Sequence, residues 1–303
     1  MKLPKLSFVL IFMLPLLACE KLIDITPKSD FTGQLFIESI LFPGKEPKVF
    51  VSRSLPFFDA SVTPQQLFAR GAVVTISGIS GMEVLSADST FDKFRCRWTP
   101  YYQGTQPSNY GETYDLTVTF ENKTYTASTT IDQPKVIIET VEYVAEFFDI
   151  YGGHDGVIIT FDDAPGPGNY YRYQMNRMID NTFHHVDVLE VIVNDCTDPG
   201  ERYPVTDLGR TIFSDENVDG QSLKLFIEVS FEYVKDDSTW VFLQSMDRIS
   251  AEFYQQLDEQ LLARVNPFVE PVFLDTKIEG AIGVFGSAVL SDSVLFIYPV
   301  SSD

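Results

Sequence analysis

Histidine is almost missing from this chain. There are three in 303 residues, His154, His184 and His185. No H-E-x-x-H is present, and two adjacent histidines point to opposite faces of a strand, so the pair cannot share a metal there. Basic residues are also scarce: 22 Lys and Arg stand against 43 Asp and Glu, for a formal net charge of −21. That balance argues against nucleic acid and against direct docking on anionic lipid. Past the first eighteen residues no apolar run reaches 18, so no transmembrane helix is expected. Catalytic signatures are missing as well. Gly78-Ile79-Ser80-Gly81-Met82 breaks the nucleophile-elbow pattern at its last position. Gly280, Gly283 and Gly286 have the wrong spacing for a phosphate loop and no helical pattern follows them. They read as a strand that another backbone approaches closely.

What is present begins with an export signal. Lys2 and Lys5 precede an apolar run from Phe8 to Leu17, too short to span a bilayer, and Leu16-Leu17-Ala18-Cys19 has the form of a bacterial lipobox. Residues 1–18 are then a signal peptide, and Cys19 is the lipid-attachment residue, carrying palmitate-like chains. Each buried methylene contributes roughly 0.8 kcal/mol, so two or more chains hold a body stably at a membrane. Glu20 rather than Asp follows the cysteine, which points to the outer membrane. Cleavage removes two lysines and no acid, which leaves the mature body still more acidic. Two further cysteines, Cys96 and Cys196, stand 100 residues apart in different predicted domains. A bond between them would staple those domains. Spacing leaves that open beside two separate buried thiols, and the thiols are the expectation.

Residues 19–31 read as a tether. Short alternating strands follow with regular turn signals: 34–41, 48–53, 71–77, 93–98, and a hairpin of Thr113–Glu121 and Thr124–Ile131 turning at Asn122-Lys123. Residues 32–132 therefore predict an immunoglobulin-like β-sandwich. Asp132-Gln133-Pro134 is the expected linker, and 133–303 a second β-rich, sandwich-like domain. Its strands are expected at 136–144, 156–161, 170–177, 186–193, 223–233, 240–246, 278–286 and 294–298, with 195–220 a surface excursion. One amphipathic helix interrupts it. Ile249, Phe253, Leu257, Leu261 and Val265 recur every four residues, after Ser250 as N-cap and before Asn266-Pro267. Burying that stripe contributes on the order of 10 kcal/mol before entropy, which predicts packing on the second sheet.

Candidate binding residues are few. Asp215-Glu216-Asn217-Val218-Asp219-Gly220 matches the first half of a calcium loop, with Asp215, Asn217 and Asp219 as oxygen donors. The twelfth position is Phe226 where a bidentate Glu is needed, and Glu228 comes two residues late. A polar turn is the competing reading. The acid doublets Asp162-Asp163 and Asp236-Asp237 read as solvated turns. Of the aromatic doublets, Phe57-Phe58 and Tyr101-Tyr102 lie near loops and could form a sugar- or protein-binding surface. No catalytic residue and no required cofactor is assigned.

Phe213-Ser214-Asp215 with Asp219-Gly220, the 249–265 helix, Pro267-Phe268 with Glu270-Pro271, and Ile278-Glu279-Gly280-Ala281-Ile282-Gly283-Val284-Phe285-Gly286 together resemble the Bacteroidota lipoproteins of the domain-of-unknown-function 4249 family. The start Cys19-Glu20 with Ile23-Asp24 and the Gly111–Val118 hairpin strand fit the same family. Where members usually have two adjacent glycines, this chain has Gly280-Ala281. The resemblance spans essentially the whole mature chain. Members are typically encoded near TonB-dependent outer-membrane receptors, which implies a role in envelope transport or surface binding. The expectation is a non-enzymatic outer-membrane lipoprotein, an accessory binding or assembly subunit of a TonB-dependent receptor system. The alternatives are a surface glycan- or peptide-binding adhesin and, third, a hydrolase built on convergent acids.

Overall fold

The computed structural model describes residues 33–303, apart from 55–62, 150–151, 181–195, 199, 230–231, 266–267, 269, 271, 276 and 302–303. The lipobox, Cys19, Phe57, Phe58, the expected strand 186–193, His184 and His185 lie outside the described residues. The chain is mainly β. Its first half contains β1 (Leu35–Leu41), β2 (Lys48–Arg53), the single turn α1 (Pro64–Leu67), β3 (Val73–Gly78), β4 (Gly81–Val84), β5 (Ser86–Asp92), β6 (Arg97–Gln103), β7 (Thr113–Phe120) and β8 (Lys123–Thr130). The second half contains β9 (Ile138–Asp149), β10 (Gly152–Asp162), β11 (Tyr170–Asp180), β12 (Arg202–Leu208), β13 (Phe213–Ser214), β14 (Ser222–Glu228), β15 (Ser238–Met246), α2 (Arg248–Val265), β16 (Ile282–Leu290) and β17 (Val294–Ile297).

One ten-stranded sheet organises the rest. Its order is β12-β11-β15-β16-β1-β2-β6-β5, with β13 and β17 attached to β11 and β15. Two smaller sheets, β4-β3-β7-β8 and β14-β10-β9, pack against it. Each encloses a core with a different stretch of the large sheet. The first core joins Ile37, Leu41, Val49 and Val51 to Val74, Ile76, Leu116 and Val118. The second joins Tyr171, Met175, Val241 and Leu243 to Val157, Ile159, Phe161 and Ile227. Alternation along the strands explains both, since β7 reads exposed-buried through its length and only its inward residues are apolar. The β7–β8 turn is Glu121-Asn122, one residue earlier than the sequence suggests. Both have positive φ, 49° and 63°, the two-residue geometry that matches strand twist.

The boundary at 132 separates two cores but not two sheets. β16 runs parallel to β1 from Phe36↔Ile282 to Leu41↔Ser287, so a C-terminal strand completes the N-terminal half. Phe285 and Val289 accordingly belong to the first core. The middle residue of the expected linker is correspondingly buried. Gln133 is a buried side chain whose Oε1 accepts the Ser287 hydroxyl proton at 3.1 Å. Such long-range parallel pairing leaves no local sequence signal. The 195–220 segment is also more than a surface excursion: it holds β12 and β13, and buries Tyr203, Asp207 and Asp215.

Cys96 and Cys196 form a disulfide, with Cα atoms 5.6 Å apart, instead of the two separate thiols expected. Neither is buried. The bond ties the β5–β6 turn to the segment before β12, at opposite edges of the large sheet. Phe94 packs on Ile179 and Tyr203 beside it, and Lys93 forms an ion pair with Glu201.

The helix lies over β16 on the face away from the two cores. Its cap is Asp247, not Ser250. Asp247 Oδ1 accepts the Ser250 amide at 2.9 Å, and Oδ2 accepts the Ser250 hydroxyl at 2.6 Å and the Ser287 amide at 2.5 Å. Gly286 makes this approach possible, because a Cβ there would stand 1.8 Å from Ser250 Oγ. Fixing Ser250 inward rotates the stripe. Phe253 and Ala251 are buried, whereas Ile249 is 43% exposed, so it leaves the inward stripe that the four-residue period assigned to it.

Candidate functional site

Antiparallel pairing of β10 with β14 sets Asp162 opposite Ser222. That register carries the residue after β10, Asp163, to the 215–220 turn just before β14. The Pro165–Gly168 loop is drawn to the same corner. Here one carboxylate oxygen each of Asp163, Asp215 and Asp219 lies within 4.8 Å of the others. Asp163 and Asp215 are buried and Asp219 is exposed.

Each carboxylate is held by donors. Gly168 N–H reaches both oxygens of Asp215 at 3.0 Å, and the Asn169 side-chain amide reaches Oδ2 at 3.2 Å. Gly166 N–H donates to Asp219 Oδ1 at 2.8 Å. Gly220 N–H donates to Asp163 Oδ2 at 2.8 Å, and the Tyr171 hydroxyl donates to Oδ1. Burial first, then the bond to Asp163 and the negative charges of Asp163 and Asp215, push the Tyr171 hydroxyl well above its usual range. The phenol thus stays a donor at any physiological pH. Asn169 further ties the corner by donating to the carbonyls of Ala164 at 2.8 Å and Gly166 at 2.6 Å.

Chemically the corner presents a hard-oxygen cluster at the edge of solvent. Carboxylates on a fixed loop, with an exposed third arm, suit a calcium-like cation. All three are tied to backbone amides or to Tyr171, which fixes their oxygens in place.

The structure thus brings Asp215 and Asp219 together. Asn217 lies between them, exposed, at a left-handed turn position with φ 71°. Glu228 is not brought in: it pairs with Gly156, at the far end of β14. The third carboxylate of the cluster is Asp163, from outside the 215–220 turn, and the solvated-turn reading of Asp163 is overturned by its burial. Asp237 is likewise no free turn residue, since Arg202 lies 3.3 Å from its carboxylate. Tyr101 and Tyr102 do not form an exposed binding surface. Both are buried; the Tyr102 hydroxyl donates to the Ala69 carbonyl at 2.8 Å, and Tyr101 lies beneath Lys48, whose Nζ is 4.5 Å from the ring centroid.

Among known families, the one described as Domain of unknown function (DUF4249) matches residues 20–292. No curated protein matches the chain.

Proposed function

The chain belongs to the domain-of-unknown-function 4249 family, and from that premise we propose that it is a non-enzymatic outer-membrane lipoprotein. It is held through acylated Cys19 and serves a TonB-dependent receptor system as an accessory binding or assembly subunit. The observation that carries the reading is the lipobox, Leu16-Leu17-Ala18-Cys19, at the head of a strongly acidic, strand-built chain. The Cys96–Cys196 bond supports it, because disulfides persist in exported compartments. Capture of the native lipoprotein from detergent-solubilised membranes is expected to recover a TonB-dependent receptor. Recovery of no envelope protein would count decisively against the reading, and protease shaving of intact cells reads which side the body faces.

The acidic corner gives this reading a second part, calcium as a structural ion at Asp163, Asp215 and Asp219. Saturating calcium at about a hundred times its dissociation constant would stabilise the fold by about 2.7 kcal/mol. A rise in unfolding temperature with calcium, and a smaller rise in the Asp219→Asn chain, is the expected result. Equal melting in calcium and in chelator would dismiss the ion.

A further inference from the structure

The face of the ten-stranded sheet that carries α2 is only partly covered by it. Beside the helix lies a cleft of about 340 Å³. Its floor contains Gln174 of β11 and Gln244 of β15. Its sides contain Lys45, Lys48 and Arg172, three cations, against two carboxylates, Glu38 and Glu46. This is a local excess of positive charge in a chain whose formal net charge is −21.

The two carboxylates are occupied by neutral donors. Glu38 accepts the Tyr254 hydroxyl at 2.6 Å, and Glu46 accepts the Gln103 amide at 3.3 Å. The cations are propped on aromatic rings instead of on acids. Lys45 Nζ stands 5.4 Å from the Phe42 centroid, and the Arg172 guanidinium 4.5 Å from that of Tyr254. Among the described residues, none of these three cations is in an ion pair. Arg172 is further fixed through its Nε, which donates to the Gly209 carbonyl.

The floor continues as a row of side-chain amides. Gln244 Nε2 donates to Gln174 Oε1 at 2.8 Å, and Gln174 Nε2 donates to Asn176 Oδ1 at 3.0 Å. Asn176 is in register with Trp240, which is 48% exposed on the same face. Trp240 and Gln244 are four residues apart on β15, about 13 Å along the strand. An exposed indole, a line of amide donors and acceptors, and a cationic end therefore follow one another along one strand pair.

We propose that this face binds an acidic oligosaccharide, a short chain of sugars carrying carboxylates. The indole offers a flat apolar surface to a sugar ring, the amides match its hydroxyls, and the fixed cations take the carboxylate. The acidity of the rest of the chain opposes a nucleic acid, whose phosphate charge is denser. The inference does not rest on receptor association, and it fails or stands on binding by the purified chain alone.

The test is calorimetric titration of the full-length chain in detergent with tetragalacturonate, maltotetraose and citrate. Tetragalacturonate is expected to bind at least about tenfold more tightly than either of the others, and more weakly as salt rises. Trp240→Ala and Lys48→Gln, both at the surface, are each expected to weaken it by about fivefold to tenfold. Arg172→Gln is expected to weaken it further, and its melting curve separates lost binding from lost folding. Absence of tetragalacturonate binding, equal binding of maltotetraose or citrate, or unchanged binding by both surface variants would each overturn the proposal.

Discussion

A chain with Cys96→Ser and Cys196→Ser is expected to lose about 4–5 kcal/mol of stability, because the bond closes a loop of 100 residues in the unfolded chain. The native side of the balance points the same way. The bond holds the β5–β6 turn against β11 and β12, where Phe94, Ile179 and Tyr203 form only a small cluster. The Lys93–Glu201 ion pair is screened by solvent and cannot replace it. Urea unfolding of the oxidised chain, the reduced chain and the double-serine variant measures this. The reduced and double-serine chains should agree with each other and unfold at markedly lower urea. Coincident curves for all three would show that the bond does not constrain the chain. The result also bears on compartment, since a fold that needs this bond is unsuited to a reducing cytosol.

How far the sequence reached depended on whether a feature is local. Alternation placed β1, β2, β7, β8 and β15 within a few residues, because the period of two is written in neighbouring side chains. The helix was equally plain from its four-residue recurrence. Its cap was not, because Asp247 and Ser250 both suit an N-terminus and only the position of Gly286 and Ser287 on β16 decides between them. The sheet order was out of reach for the same reason. Nothing within residues 35–41 records that their neighbour is 282–287, and without that pairing the chain reads as two sequential sandwiches instead of one large sheet with two smaller ones upon it.

The acidic corner was half legible. Asp215 and Asp219 share a turn, so their spacing carries the pattern. Asp163 is 52 residues earlier than Asp215 and joins them only through the β10–β14 register. A doublet such as Asp162-Asp163 gives no hint that one member points outward and the other into the fold. The cleft was illegible altogether, since its residues come from β1, β2 and their connection, β11, β12, β15 and α2. Of the aromatic doublets, Tyr101 and Tyr102 fill the interior, whereas Trp240, in no doublet, is exposed beside the row of amides.

The glycines in and just before β16 should separate cleanly when each is replaced by alanine. Gly283 has φ +126°, and a Cβ there would lie 1.9 Å from the Ile37 carbonyl oxygen and 3.0 Å from its amide nitrogen. Those atoms are backbone in the parallel β1–β16 ladder, and Ile37 is fully buried, so neither side can yield without opening the first core. Backbone strain and overpacking together make Gly283→Ala cost on the order of 4 kcal/mol. Gly286→Ala meets the Ser250 hydroxyl at 1.8 Å and Asp247 Oδ2 at 2.5 Å. Side-chain atoms can swing aside, at the expense of the helix cap, which puts the cost at about 2 kcal/mol. Gly280→Ala meets the Tyr125 ring at an ordinary 3.6 Å, and its cost is only that of holding alanine at φ +78°, about 1 kcal/mol. Chemical unfolding of the three variants should give the order 283, 286, 280 from most to least damaging. Only Gly286→Ala should also lower helix content before the main transition, because it alone loosens α2. If Gly283→Ala unfolds with the stability of the parent chain, β16 does not lie against β1 at this register.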